Sequence, residues 1–257
     1  MDSTVLAVVV ATVVGGLGGF LVPALIGRIP PYVPDEEPEG QPEAGSEVDG
    51  TVDATPTVAP PEPPEPYADI ARLGGLGWKS AVAGAVAGAL VGVALGWTWA
   101  LVLWVPLVPV SVALAVVDWR TRLLPTAVLR PAYGTLVLLV LLGWAVTGDS
   151  EAALRAALGW LVAGGIFGLL WFIYPRGLGF GDVRLAGLLG IGLGWVGWGA
   201  LLVGVYSGFL LGGVIGGLLS VLKIVERKGF PFGPFMLLGA LVGLLWGEPL
   251  WSALVSG

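Results

Sequence analysis

Histidine and cysteine are both absent from the 257 residues. Thiol nucleophiles, Ser-His and Cys-His triads, disulfides and the usual zinc sites are thereby excluded, and any catalysis must rest on carboxylates or hydroxyls. The acids are unevenly placed, because eleven of the eighteen fall between Asp35 and Asp69. Of the rest, Asp118 closes an apolar run in Ala-Val-Val-Asp-Trp-Arg, and Asp182 opens another after Gly-Leu-Gly-Phe-Gly. A carboxylate at the edge of hydrocarbon is costly to keep ionised, and two held together cannot easily both ionise, so one proton tends to be shared. In such a dyad the ionised partner takes a proton from water, which attacks an amide carbonyl. The protonated partner polarises the carbonyl oxygen and later helps the amine leave. That chemistry needs no metal and no cofactor. On position alone the same two residues also read as ordinary solvated loop acids beside Arg120 and Arg184.

The elements that must position these acids are membrane helices. The chain is 56% hydrophobic and only 12% charged, too apolar for a soluble domain. Apolar runs of a length that crosses a bilayer, roughly 17 to 25 residues, recur at about 4–27, 80–97, 99–117, 126–147, 155–174, 183–197, 199–222 and 235–253. The expected fold is therefore an all-α polytopic membrane protein of about eight transmembrane helices. The first run has Asp2 before it and Arg28 after it and lacks the basic start of a secretory signal, so residues 1–28 read as an uncleaved anchor. Residues 29–78 hold eleven prolines and eleven acids and read as a disordered cytoplasmic loop. Residues 79–257 form a seven-helix membrane domain. Spans two and three meet around Gly96-Trp97-Thr98, which demands a tight turn. Glycines such as Gly84, Gly88, Gly92, Gly164, Gly165, Gly212 and Gly213 read as small residues for close helix packing.

Positive residues are retained on the cytoplasmic side of membranes. With the amino terminus outside, eight spans put eleven of the twelve Lys and Arg residues inside and leave only Arg155 outside. Both termini are then extracytoplasmic. Removing the loop acids and the outside acids Asp2, Asp149, Glu151 and Glu248 leaves Asp118, Asp182 and Glu226. Glu226 lies among Lys223, Arg227 and Lys228 and reads as a local charge partner at a helix end. Between Asp118 and Asp182 the chain crosses out and back, so both return to the same membrane level.

The stretch Gly177-Leu178-Gly179-Phe180-Gly181-Asp182-Val183-Arg184 contains GFGD, whose glycines let a substrate backbone approach the acid. It resembles the GxGD signature of intramembrane aspartyl proteases. Two further pieces sharpen the likeness: Asp118 followed by Pro125 in DWRTRLLPT, and Pro231-Phe232-Gly233-Pro234-Phe235 before the last span. In that order, over roughly 82–245, they resemble the type IV prepilin peptidase family. The resemblance implies that Asp118 and Asp182 are the catalytic pair, and that Gly179, Gly181, Arg184, Pro125, Pro231, Gly233 and Pro234 bind substrate or shape the site. It also implies that the protein removes the leader of a prepilin or pseudopilin at the cytoplasmic face of the inner membrane, before a hydrophobic helix. The partners are then that substrate and the lipid bilayer, with no nucleic acid.

Arg184 stands where the family commonly has Lys, and Thr126 where Asp or Asn is frequent. The run from Gly18 to Pro30 resembles the family's first span but has Val22 where Asn is usual. Bifunctional members often carry two Cys-x-x-Cys pairs in the loop that follows. The absence of cysteine here argues against N-methyltransferase activity. Two other readings stand beside the peptidase. A transporter or channel would use the two aspartates for ions or protons, and a catalytically silent pilus assembly factor would only dock pilins.

The charge count makes the loop at 29–78 cytoplasmic and both termini external. A reporter fused at Ser46 is expected to score as cytoplasmic. An external signal there would overturn the orientation.

Overall fold

The computed structural model describes residues 2–31, 64–175, 178–221 and 231–255. Within them lie eleven helical segments and no strand. They are α1 (Ser3–Phe20), α2 (Val22–Ile26), α3 (Tyr67–Ala71), α4 (Leu76–Leu95), α5 (Trp99–Trp104), α6 (Leu107–Thr121), α7 (Thr126–Thr147), α8 (Ser150–Ile173), α9 (Phe180–Val196), α10 (Trp198–Val221) and α11 (Gly233–Val255). Six helices, counting α5 and α6 as one run broken at Pro106, are long and apolar enough to cross a membrane. Helix α9 is shorter, at 17 residues, and α10 is apolar over Trp198–Val214. The protein is an all-helical polytopic membrane protein, with its helices at the positions of the eight apolar runs.

The helix ends follow from local chemistry. Asp2 and Asp149 accept hydrogen bonds from the Thr4 and Ala152 N–H groups at 3.3 and 2.9 Å, serving as N-caps of α1 and α8. Gly96, at φ 57°, allows α4 to end and α5 to begin three residues later. The tight turn expected at 96–98 is thus present.

Three helix pairs carry the packing, and each is a close approach of small residues. In α1 and α4, a Cβ on Gly88 would sit 2.1 Å from the Ala11 carbonyl oxygen, and one on Gly84 would sit 2.2 Å from that of Gly15. In α8 and α9, Gly159 and Gly190 face each other in the same way, and Gly239 of α11 lies against the backbone of Gly208 in α10. Between helices in lipid no hydrophobic effect operates, so contact of backbone against backbone is a main source of association. The packing expected of Gly84, Gly88 and Gly92 is observed, whereas Gly165 and Gly213 meet nothing within 4 Å.

Helix α9 is the centre. Every residue from Leu185 to Trp195 is buried, as befits a helix that is apolar on all sides. Outward faces carry large exposed apolar residues such as Val9, Leu138, Leu169 and Phe172, a surface suited to lipid and not to water.

The sequence reading carries the Pro-rich loop through Trp78, and the end of that stretch is different. Tyr67 and Ile70 of α3 are buried at 7% and 0% exposure, with α3 packed on α2, and α4 already begins at Leu76. Two large apolar side chains with a neighbouring helix to cover them are enough to order a short helix, even beside a Pro-rich run. The rest of the expected loop, residues 32–63, lies outside the described residues, as do Arg176, Gly177, Lys223, Glu226, Arg227 and Lys228.

A substitution Gly88→Leu is expected to separate α1 from α4 and to lower stability by at least about 1–3 kcal/mol. Gly165→Leu, in open space, should stay within about 0.5 kcal/mol of the parent. Thermal melting in detergent micelles reads both, and equal melting of the two variants would contradict the packing account.

Candidate active site

Asp118 lies in the last turn of α6, with its side chain buried at 3% exposure. Its position inside the helix, and not after it, comes from α6 continuing to Thr121. There Arg122 at φ 58° ends the helix by donating its N–H to the Asp118 carbonyl at 2.8 Å. The carboxylate accepts at Oδ2 from the Gly233 N–H at 2.9 Å. Gly233 is the first residue of α11, so a carboxylate oxygen meets one of the unpaired N–H groups at a helix start, where the helix dipole favours negative charge.

Asp182 is held by the same device. It occupies the third position of α9, its N–H donates to the Gly179 carbonyl at 3.0 Å, and its Oδ2 accepts from the Gly179 N–H at 3.1 Å. The side chain thereby closes the first turn of its own helix. The two carboxylates line one cleft of about 280 Å³ and act on each other electrostatically.

Between the two helix starts sits Leu124. A Cβ on Gly181 would lie 2.8 Å from the Leu124 Cβ, and a Cβ on Gly233 would lie 3.4 Å from Leu124 Cδ2 and 2.8 Å from Asp118 Oδ2. The leucine is buried at 8% exposure. Both glycines are therefore required by close approach, one to Leu124 and the other to the acid itself. Pro125 follows with φ −66° and caps α7. On the other side, Phe232 packs with Phe167 and Phe209, at ring separations of 6.0 and 5.6 Å. That anchor fixes the chain immediately before Gly233.

Arg184 is aimed at the same region. Its Nη1 donates to Thr126 Oγ1, its guanidinium lies 4.7 Å from the Phe180 ring, and its carbonyl accepts from the Tyr133 hydroxyl at 2.6 Å. Thr126, where the resembled family frequently has an acid or amide, is thus the anchor of this arginine. At the water-facing end, Arg120 makes two parallel hydrogen bonds to Glu65, at 2.5 and 2.7 Å. The bonds from Arg120 hold the Glu65 carboxyl below its usual range. Tyr67, two residues on, lines the cleft.

Of the site residues expected from sequence, the structure gathers Asp118, Asp182, Gly179, Gly181, Arg184 and Pro125 around one cleft, with Gly233 reaching it through its N–H. Pro231 is buried beside Phe232 but does not line the cleft, and Pro234 lines a different cavity. Sequence reasoning missed Leu124, Tyr67, Tyr133 and Glu65. Leu124 had a signal, since it lies between the two motif residues Asp118 and Pro125. Tyr67 and Glu65 had none, because the loop composition concealed them. Among the described residues no group of three or more acids is arranged to hold a metal ion.

Known proteins are similar to this chain over the same region. The model of the type IV leader peptidase family matches residues 105–247, which include both aspartates, Leu124 and the Gly233 turn. The chain is 32% identical over 151 residues to the prepilin leader peptidase/N-methyltransferase of Aeromonas salmonicida, covering 55% of this chain and 48% of that protein. To the protein of the same name in Pseudomonas putida it is 29% identical over 173 residues, 64% of this chain and 58% of the other. For that of Pseudomonas aeruginosa the figures are 27% over 140 residues, 54% and 47%. The chain spans about half the length of the curated relatives it matches. No solved structure matches it at a comparable level of significance. With a family model covering more than half of the chain, and both of its acids standing in one cleft inside the matched region, the chain belongs to the type IV leader peptidase family.

Proposed function

We propose that this chain is an aspartic endopeptidase which removes the leader of a prepilin or prepilin-like protein at the cytoplasmic face of the inner membrane, with Asp118 and Asp182 as its catalytic pair. The observation that carries the reading is the placement of the two carboxylates in one cleft, each fixed by a backbone N–H at the start of a helix. Among the described residues no hydrogen bond reaches the second oxygen, Oδ1, of either acid, which leaves it to water or substrate.

In this mechanism one carboxylate is ionised and the other protonated. The ionised one accepts a proton from water while the water oxygen bonds to the scissile carbonyl carbon. The protonated one hydrogen-bonds the carbonyl oxygen as negative charge develops there. Collapse of the tetrahedral intermediate breaks the C–N bond, and the amine leaves with a proton returned through the dyad. No group outside the chain and water enters the balance. Gly179 and Gly181 line the cleft beside Asp182, and Arg184, braced by Thr126 and Phe180, lines it with them.

Membership of the family favours peptidase over transporter. So does the distribution of buried polar groups, because among the described residues those side chains are Ser80, Asp118 and Thr121, which do not make an ion path across the bilayer. The second activity in the relatives' names is left out of the proposal, since the chain has no cysteine. The inward orientation of the cleft rests on the charge count.

Asp118→Asn and Asp182→Asn are each expected to abolish leader removal in membranes while the proteins remain inserted. The double variant should be no worse than either single one, because the pair acts on one bond. Glu226→Gln should cleave normally. Retained cleavage by either asparagine variant, with parent protein excluded, would refute the dyad.

A second expectation concerns Leu124. Gly181→Ala should lower stability by about 1–3 kcal/mol through collision with it, and cleavage should fall. Combining it with Leu124→Ala should return part of both losses, a coupling of about 0.5–3 kcal/mol. Additive losses would mean that the leucine does not set the spacing of the two helix starts.

A further inference from the structure

A second cavity, of about 480 Å³, lies between α4, α6 and α11 at the depth of the membrane. Its inner side is closed by Trp104 and Leu189, both buried, and its lips include Val86 and Leu238, which are 55% and 49% exposed. It is thus a lateral groove open to lipid. Its described lining is apolar apart from Ser111 and the Trp104 indole N–H, and the latter already donates to the Gly192 carbonyl at 3.3 Å.

The groove lies next to the helix segments that carry and hold Asp118. On α6 the lining residues are Val108, Ser111, Val112 and Ala115, a helical stripe whose next members are Asp118 and Trp119. On α11 it begins at Pro234, next to the Gly233 whose N–H holds Asp118. At about 1.5 Å per residue, the stripe runs from about 4.5 Å to about 15 Å below Asp118. A peptide threaded through the dyad therefore has one side in the polar cleft with Arg184 and the other directed into the groove.

A chain that enters hydrocarbon must satisfy its own backbone and so must be helical there, with apolar side chains. Small residues on the groove walls, Ala83 and Ala87 on α4 and Ala115 on α6, permit the close approach of another helix. We infer that this groove is the docking site for the first two to three turns of the substrate's apolar helix adjoining the scissile bond, and that it sets where the cut falls by seating the helix at a fixed depth. The inference rests on the peptidase reading and adds to it the surface that recognises the membrane half of the substrate.

The chain is free of cysteine, which allows a direct test. Val112→Cys in the groove and Leu138→Cys on the lipid-facing side of α7 are each placed in the full-length Asp182→Asn protein. Both are co-expressed with a prepilin precursor bearing single cysteines along its first three helical turns. Oxidative crosslinking is expected at Val112→Cys with a period of three to four substrate residues, and not at Leu138→Cys. Equal yields at the two positions, or none in the groove, would overturn the inference. In the otherwise native protein, Ala87→Trp, which fills the groove from the wall that bears no aspartate, should raise KM for the precursor at least tenfold with unchanged melting. If the groove instead holds only a lipid chain, Ala87→Trp will displace lipid and cleave at the parental rate, which also overturns it. A parent protein that leaves every precursor intact would refute the peptidase reading, while the crosslinks still decide the groove.

Discussion

Two carboxylates at the margin of a hydrocarbon layer lose much of their hydration, and the arrangement around Asp118 and Asp182 is a response to that loss. Each acid is given a backbone N–H at the beginning of a helix, Gly233 for one and Gly179 for the other. A helix start supplies such donors without any added side chain, because its first N–H groups have no partner within the helix. That choice governs much of the surrounding structure. Helices α9 and α11 must begin at the level where α6 ends, and nothing larger than hydrogen fits at position 233, where a Cβ would stand 2.8 Å from Asp118 Oδ2.

Keeping three helix ends in register is a packing problem, and the bundle solves it with backbone contacts. The pairs α1 with α4, α8 with α9, and α10 with α11 are held by small residues whose backbones touch. Such contacts leave little slack, since a displaced helix meets carbonyl oxygens and not flexible side chains. Leu124, against Gly181 and Gly233, and the Phe167, Phe209 and Phe232 cluster then hold the chain at the starts of α9 and α11. The centrality of α9, buried on every side, means that the helix bearing Asp182 has the least freedom to move.

A polar and an apolar space lie on either side of the segment that bears Asp118. Above it the cleft carries Arg184, Thr126 and Tyr67, with the Glu65 and Arg120 ion pair close by. Below it the groove between α4, α6 and α11 is apolar. The boundary coincides with Asp118 because α6 turns from apolar residues to Asp-Trp-Arg at that point. A membrane substrate with a polar segment on one side of its cleavage point and an apolar helix on the other would match both spaces at once.

Residue types and their order were enough to determine the class of fold and the positions of the helices, and to single out two acids that share one cleft. Run length, charge asymmetry and the glycines before Asp182 are local properties, set by the bilayer's thickness and by the cost of burying charge. The tertiary structure alone decided how the acids are held. That Gly233 gives its N–H to Asp118, 115 positions earlier in the chain, depends on α11 packing beside α6, and no periodicity in either segment encodes it. The ordered turn at Tyr67 lay hidden in a Pro-rich stretch for a related reason, since its stability comes from α2, which covers it, and not from its own composition. The apolar groove likewise belongs to no single helix. Its three walls come from segments as far apart as Ala83 and Leu241, and their residues look alike in sequence whether they face lipid, a neighbouring helix or an opening.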